Sequence, residues 1–383
     1  MNTVIWDADR IDSIRETVST GGAVSGLDAL RTRADAAIRL EPVSVVQKTT
    51  LPPSGDPHDY MSVGPYWWPD PDKPDGLPYI RRDGETNPER HEYDNVRLDA
   101  LCSAVRDLAL AGTIFRDESY SRHAAKLLRV WFLDEETRMN PHLEYGQAIP
   151  GVCEGRGVGI IDTAGRFTEL VDALEVLRGS ATADVWSSTD HTAIKDWMSL
   201  YLSWNLESEK GRDEAAARNN HGTYFDMQAI ALGLFTDRTD VAKRIARSVA
   251  SARIATQIEP DGAQPHELAR TKSRSYTLMN AIGLVKLAIL ARRVDVDLWG
   301  FKTADGRSIR RAVEWFIPFI RGETEWRWEQ IGEFDPASYV TLFLLAAGQF
   351  DESLGRIVQL LPSDDTQLVR LTCRVPPGSA DVG

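Results

Sequence analysis

The chain has 383 residues, a formal net charge of −13, 42% hydrophobic residues and 26% charged residues. That balance is ordinary for a soluble globular protein and lacks the basic excess of a nucleic-acid binder. No run approaches the roughly 18 apolar residues that span a membrane. A polyanionic substrate would need a locally basic pocket in an acidic surface. Cys102, Cys153 and Cys373 are widely spaced, odd in number and form no CxxC pair. Neither a disulfide framework nor a thiolate zinc site is therefore expected. The start, MNTVIWDADRIDSIRE, lacks a basic region followed by an apolar run. A cytoplasmic protein is expected, or a secreted or periplasmic one if a leader has been removed.

In chain order, amphipathic helical stretches fall near 8–20, 27–40, 92–112, 117–134, 160–178, 188–207, 222–235, 237–257, 271–293, 306–320 and 336–349. Ala124, Leu127, Leu128 and Trp131 show the spacing of one buried face. The stretch from Leu278 to Leu290 is apolar on more sides, which predicts an inner helix. Alternating Val- and Ile-rich runs are scarce, so a large sheet is not expected. Many helices of similar length suggest hairpins arranged as a bundle, a solenoid or a closed α/α toroid. One region breaks the pattern. Residues 51–92 are rich in proline and glycine, which exclude a long helix. Tyr60, Tyr66, Trp67, Trp68 and Tyr79 within it point to an ordered loop covering one face. The organisation expected is a single domain over residues 1–373 and a flexible tail over 374–383.

Four groups of residues carry candidate chemistry. Asn219, Asn220 and His221 precede Thr223 and Asp226, a pair with the spacing of a helix N-cap. That would put Asn220 and His221 at a helix N-terminus, where free N–H groups favour an anion. The plainer alternative is that the two asparagines cap the helix and His221 is a buried imidazole. Arg270 and Tyr276 follow the turn at 259–262, with Glu267 and Arg274 nearby. A helix there would place Arg270 and Arg274 on one face. One arginine could grip a carboxylate as a fork, and another could lower the tyrosine pKa. The alternative is a solvated basic face with Tyr276 in the core.

Tyr66, Trp67 and Trp68, with Arg81 and Arg82 beyond, suit a carbohydrate cleft, because aromatic faces stack on sugar rings; equally, the tryptophans could plug a helical bundle. His142, Glu144 and Gln147, followed by Gly155-Arg156-Gly157, form a polar cluster. His142 and Glu144 could be metal ligands, but no third ligand has suitable spacing. Cleft-lining hydrogen-bonders are the favoured reading, with no cofactor.

NNHGTYFDMQ, DGAQPHELAR followed by SY, YMSVGPYWWPDPDKPDG and MNPHLEYGQAIPG resemble, in the same order, the alginate-lyase-like superfamily of polysaccharide lyases. The resemblance runs from about residue 45 to 350. It is nearest to the glucuronan lyase branch, polysaccharide lyase family 38, and more distant from the family 5 alginate lyases, relative to which the Arg-to-Tyr spacing is one residue shorter. It implies an (α/α) toroid, no metal, and β-elimination from a 1,4-linked uronic acid polymer such as glucuronan or mannuronate-type alginate. It also implies that Tyr276 is the catalytic tyrosine, that Asn220 and His221 neutralise the substrate carboxylate, and that Arg270 assists. Tyr66, Trp67, Trp68, Arg81, His142, Glu144, Gln147, Arg156, Asn219 and Arg274 are then the candidate substrate-binding residues. The partner expected is an acidic poly- or oligosaccharide, with no nucleic acid and no membrane. Two rivals stay open at this point: a glycoside hydrolase on a similar scaffold, which needs two facing carboxylates, and a sugar-binding protein without catalysis.

Overall fold

The computed structural model describes residues 1–362 and 368–375. The tail expected from residue 374 onward therefore lies, from 376, outside the described residues.

Helices α1 (Ala8–Ser19) and α2 (Leu27–Ala37) lead into the aromatic loop, which contains strands β1 (Met61–Val63), β2 (Trp67–Trp68) and β3 (Ile80–Arg81). Then come α3 (Asp94–Phe115), α4 (Glu118–Leu128), β4 (Tyr145–Ala148), α5 (Ile161–Ser180), α6 (Ser188–Glu207), α7 (Glu209–Ala216) and α8 (Asn220–Phe235). The second half holds α9 (Thr239–Val249), α10 (Ala255–Gln257), α11 (Pro265–Leu268), α12 (Ser273–Arg292), α13 (Ile309–Glu314), α14 (Ile317–Ile320), α15 (Tyr339–Gln349), α16 (Gly355–Val358) and α17 (Val369–Thr372).

The packing order makes this a toroid. Helices α3, α5, α8, α12 and α15 each pack on the next, and α17 and α1 lead from α15 back to α3. A second layer lies outside: α2 and α4 on α3, α6 and α9 on α8, α13 on α12, and α16 on α15. Burial follows the same division. The outer helix α9 buries one stripe, Val241, Ala242, Ala246 and Val249, whereas α8 and α12 are buried on most sides. Ala124, Leu127, Leu128 and Trp131 are all buried, as their spacing predicts. The stretches expected as single helices at 117–134 and 237–257 instead each run into a π-helical turn, Arg129–Leu133 and Ala250–Ile254. A π turn widens the helix by one residue and rotates the chain beyond it. On the inner face, the Glu169 carboxylate of α5 accepts hydrogen bonds from Lys286 of α12 (3.0 Å) and Arg106 of α3 (3.3 Å).

The loop at 51–92 is ordered by two short ladders: β1 pairs in parallel with β4, and β2 is antiparallel to β3, with Trp67 opposite Arg81. Its near end is pinned by the buried ion pair of Lys48 with Asp94 at 2.9 Å. Its far end rests on the link before α12. Gly84 has a φ of 79°, and a Cβ there would lie 2.5 Å from Thr271 Oγ1, so only glycine lets the loop settle so closely.

The N-terminal segment is held by a buried carboxylate. Asp172 of α5 accepts the backbone N–H groups of Val4 (2.5 Å), Ile5 (3.0 Å) and Trp6 (2.8 Å). Burial pushes this carboxyl up to about 7, and the three N–H donors only partly oppose it. Because the folded-state pKa lies above the unfolded value, its contribution to stability is fully present below about pH 4 and is lost as pH rises to about 7. The stability difference between wild type and Asp172→Asn, measured by denaturant unfolding, should therefore shift against the wild type across that interval. A pH-independent difference would refute it.

Candidate active site

Helix α8 begins at Asn220, with Asn219 in the N-cap position, so Asn220 and His221 occupy the first turn. The cap expected from Thr223 is not there: Thr223 lies inside the helix, and its hydroxyl donates to Gln257 Oε1 at 2.9 Å. Asn219 provides no side-chain cap either; its carbonyl accepts from Gln257 Nε2. The helix end is satisfied instead by a distant residue. Glu267, at the end of α11, accepts the Asn220 backbone N–H at 2.6 Å and its Nδ2 at 2.7 Å. Both residues are about 1% exposed. A carboxyl group does sit at this helix N-terminus, where the dipole favours negative charge, and it belongs to the protein. Burial raises the Glu267 carboxyl above its ordinary range, while the two Asn220 donors pull it back.

His221 is held from the other side. Its Nδ1 lies 2.7 Å from Oε1 of the buried Glu214 on α7, and about a fifth of the side chain is exposed. The rest of the motif is scaffold. A Cβ on Gly222 would lie 2.2 Å from the Ala217 carbonyl oxygen and 2.5 Å from Arg253 Nη1. Asp226 holds that same Arg253 with bonds of 2.8 and 3.2 Å, and Arg253 also donates to the Ala215 and Ala217 carbonyls. The turn between α7 and α8 is thus gripped by one buried guanidinium, which fixes Glu214 against His221.

Three residues after Glu267 comes Arg270, in the link between α11 and α12. The two arginines expected on one helix face are therefore separated: Arg270 precedes α12, and Arg274 lies within it. Arg274 donates to the Tyr339 hydroxyl at 2.8 Å and sits 4.4 Å from the Phe334 ring centre, so it supports an aromatic cluster instead of pairing with Arg270. Arg270 lies over the Tyr276 ring, 3.9 Å from its centre. Its Nε and Nη2 donate to the Asp83 carboxylate at 3.0 and 2.8 Å. The Tyr276 hydroxyl is 2.5 Å from that of Tyr66, on the covering loop. The expectation of a lowered tyrosine pKa is overturned. Burial and the Tyr66 hydroxyl raise Tyr276 well above the ordinary phenol value, and Arg270 offsets only part of this.

The remaining candidates divide. Trp67 packs near Arg156, whose guanidinium carbon is 5.9 Å from the ring centre. Trp68 donates its ring N–H to the Glu85 carbonyl; with Tyr66 they are all half-buried. Arg81 is exposed and pairs with Asp83 at 2.7 Å. Gln147 is not a cleft-lining group: it is buried, donates to Asp162 at 2.8 Å and accepts from Arg156 at 3.0 Å. His142 faces Asp59 at 3.0 Å, and Glu144 pairs with Lys210. Each therefore has a partner within the fold, and no group of three metal-ligating side chains occurs among the described residues. Glu214, Glu267 and Asp83 complete the site, and only Glu267 stood out in the sequence, as a neighbour of Arg270. Nothing in local spacing reveals contacts made across 47 or 187 positions.

Residues 44–326 match the alginate lyase family model. An alginate lyase from Bacteroides ovatus is 38% identical, with a TM-score of 0.90 over 97% of this chain and 98% of that one. The alginate lyase A1-III from Sphingomonas species A1 is 16% identical, with a TM-score of 0.57 over 92% of each chain, and shares the fold. A variant of A1-III complexed with a tetrasaccharide superposes with a TM-score of 0.60 at 15% identity over 98% of each chain. No curated protein matches. A family match over most of the chain sets aside the hydrolase and the non-catalytic binder: this chain belongs to the alginate lyase family and is a polysaccharide lyase.

Proposed function

We propose that the chain cleaves 1,4-linked uronic acid polymers by metal-independent β-elimination, with mannuronate-type alginate the first substrate and glucuronan the second. One observation supports the reading: the phenol of Tyr276 lies under the guanidinium of Arg270 and against Tyr66, and Glu267, which binds Asn220 at the helix N-terminus, feels the charges of both Arg270 and His221. The three acids of the site are committed to Asn220, His221 and Arg270, which speaks against the facing pair a hydrolase requires. The likeness to the Bacteroides ovatus alginate lyase supports alginate, and the tetrasaccharide held by A1-III supports an oligosaccharide of several units.

In this mechanism the hydrogen on C5 of the uronate is only weakly acidic while the C6 carboxylate keeps its charge. His221, and the Asn220 Nδ2 through the one N–H that Glu267 does not take, stabilise the enolate-like state at the start of α8 as further charge moves onto the carboxylate oxygens. Tyr276, as phenolate, takes the C5 proton and then returns it to the departing O4. In β-D-mannuronate and β-D-glucuronate the two positions lie on the same face, so one tyrosine serves both steps. In α-L-guluronate they lie on opposite faces, and His221 would share the work. The aromatic loop bearing Tyr66, Trp67 and Arg81 supplies ring-stacking and polar contacts to the chain. A lyase leaves a C4=C5 double bond conjugated with the carboxylate, so ultraviolet absorbance separates it from hydrolysis.

Tyr276→Phe removes one hydroxyl and should lower turnover on polymannuronate roughly 10²–10⁴-fold with the fold intact by circular dichroism. Near-normal turnover in the folded variant would eliminate Tyr276 as the base. Because Tyr276 starts with its proton firmly held, kcat/KM should climb about tenfold per pH unit on the alkaline side. A flat profile between pH 7 and 9 would contradict a tyrosine base. Chelator should leave turnover unchanged; loss that a single divalent ion restores would require a metal-dependent mechanism instead.

A further inference from the structure

The Asp83–Arg270 pair is more elaborate than a loop contact needs to be. Asp83 Oδ1 accepts from Arg270 Nη2 at 2.8 Å and from Arg81 at 2.7 Å. Its Oδ2 accepts from Arg270 Nε at 3.0 Å, the Thr271 hydroxyl at 3.1 Å and the Thr271 N–H at 3.4 Å. The Thr271 hydroxyl also lies 2.9 Å from the Asp83 carbonyl oxygen. Burial alone would push this carboxyl up, but Arg270, Thr271 and Arg81 hold it well below the usual carboxylate range, so it remains charged. Both oxygens are thus used, and one whole edge of the Arg270 fork is taken. A carboxylate so anchored is poorly suited to yielding its place to a substrate.

We propose that Asp83 is a positioning residue for the elimination: by gripping the Nε–Nη2 edge of Arg270 it holds the guanidinium over Tyr276, so that Arg270 serves the base and does not clamp the substrate carboxylate. This inference rests on the lyase mechanism above, with Tyr276 as base. It divides the labour of the site. The substrate carboxylate is left to His221 and Asn220, while Arg270 supplies positive charge to the phenolate that Tyr276 must become. The groups facing Tyr276 are Tyr66 from the loop and Arg270 from the α11–α12 link; Asp83 and Arg81 act through Arg270. The same carboxylate brings Tyr66 to Tyr276, since both residues sit on one loop.

The test combines kinetics with a titration that does not depend on activity. Asp83→Ala and the isosteric Asp83→Asn are checked for folding by circular dichroism, then assayed on polymannuronate. The expected result is a fall in kcat on the order of 10²-fold, typical of a misplaced catalytic group, with KM changed less than about threefold and Asp83→Asn intermediate. In an Arg270→Ala background, Asp83→Ala should add nothing, because the two residues act as one unit. The ultraviolet titration of Tyr276, isolated by subtracting the Tyr276→Phe spectrum, should move to higher pH in both Asp83 variants. A lower KM with unchanged or higher kcat would overturn the proposal, because Asp83 would then be a competitor for a substrate-clamping arginine. A titration that stays in place or moves down would overturn it too, since an unrestrained Arg270 would then serve the phenol equally well. If the wild type shows no lyase activity on any uronate polymer, the mechanism fails, yet the titration still reports whether Asp83 acts on Tyr276 through Arg270.

Discussion

The contact on which the site depends is the carboxylate of Glu267 against the first turn of α8. It accepts both the backbone and the side-chain N–H of Asn220, out of contact with water. A hydrogen bond to a charged group contributes about 1.5–3 kcal/mol, and a buried donor left without one costs a similar amount. The geometric effect matters as much as the energy. Glu267 stands three residues before Arg270, so this one carboxylate fixes the distance between the helix that presents Asn220 and His221 and the link that presents Arg270 and leads into α12, which bears Tyr276. Behind it, a buried amide network repeats the connection: Gln257 accepts from Thr223 and Asn280, and Asn280 also donates to Gln264. Elements α8, α10, α11 and α12 are thereby tied together through buried amides, although the Asn280 Oδ1 has no partner among the described residues.

The loop at 51–92 is the second part of the construction. The cover is attached to the site at two points of unequal strength. Tyr66 meets Tyr276 through one hydrogen bond, and Asp83 meets Arg270 and Thr271 through several. Both contacts land on the short stretch from Arg270 to Tyr276. The loop's own stiffness comes from elsewhere, namely the β1–β4 and β2–β3 ladders and the Lys48–Asp94 pair. Its shape is thus kept independently of its attachment, as a cover over a cleft requires.

Much of the fold was legible because inner and outer helices carry different apolar patterns. The nearly all-round apolar run of α12 and the single stripe of α4 differ in sequence just as they differ in place. The π turns after α4 and α9 were not legible, since a one-residue widening leaves the apolar spacing nearly unchanged. Helix α7, only eight residues long and with little apolar surface, gave no periodic signal, and it carries Glu214. In the site, Asn220, His221, Arg270 and Tyr276 stood out because their motifs are unusual. Their partners did not, because a single acid in a chain with 57 of them carries no local mark. Thr223 misled for a related reason: the Thr–x–x–Asp spacing of a cap is present, yet Asp226 is there to bind Arg253 and Thr223 to bind Gln257.

The acidic character of the chain, which sits awkwardly with a polyanionic substrate, is reconciled with it by the same pairing. Arg270 and Arg81 meet Asp83, His221 meets Glu214, and Lys210 meets Glu144. These basic side chains are thus met by nearby carboxylates, with Arg270 and Arg81 sharing that of Asp83. Long-range attraction would in any case be screened beyond about 8–10 Å at physiological salt. The interactions left to the site are short-range and directional: donors already fixed at the helix start, and a guanidinium already fixed over a phenol. Under the proposed mechanism such donors favour the transition state more than the ground state, because further negative charge is added to the already charged carboxylate as the C5 proton leaves. Under that mechanism the site's stabilisation falls where the reaction is slow.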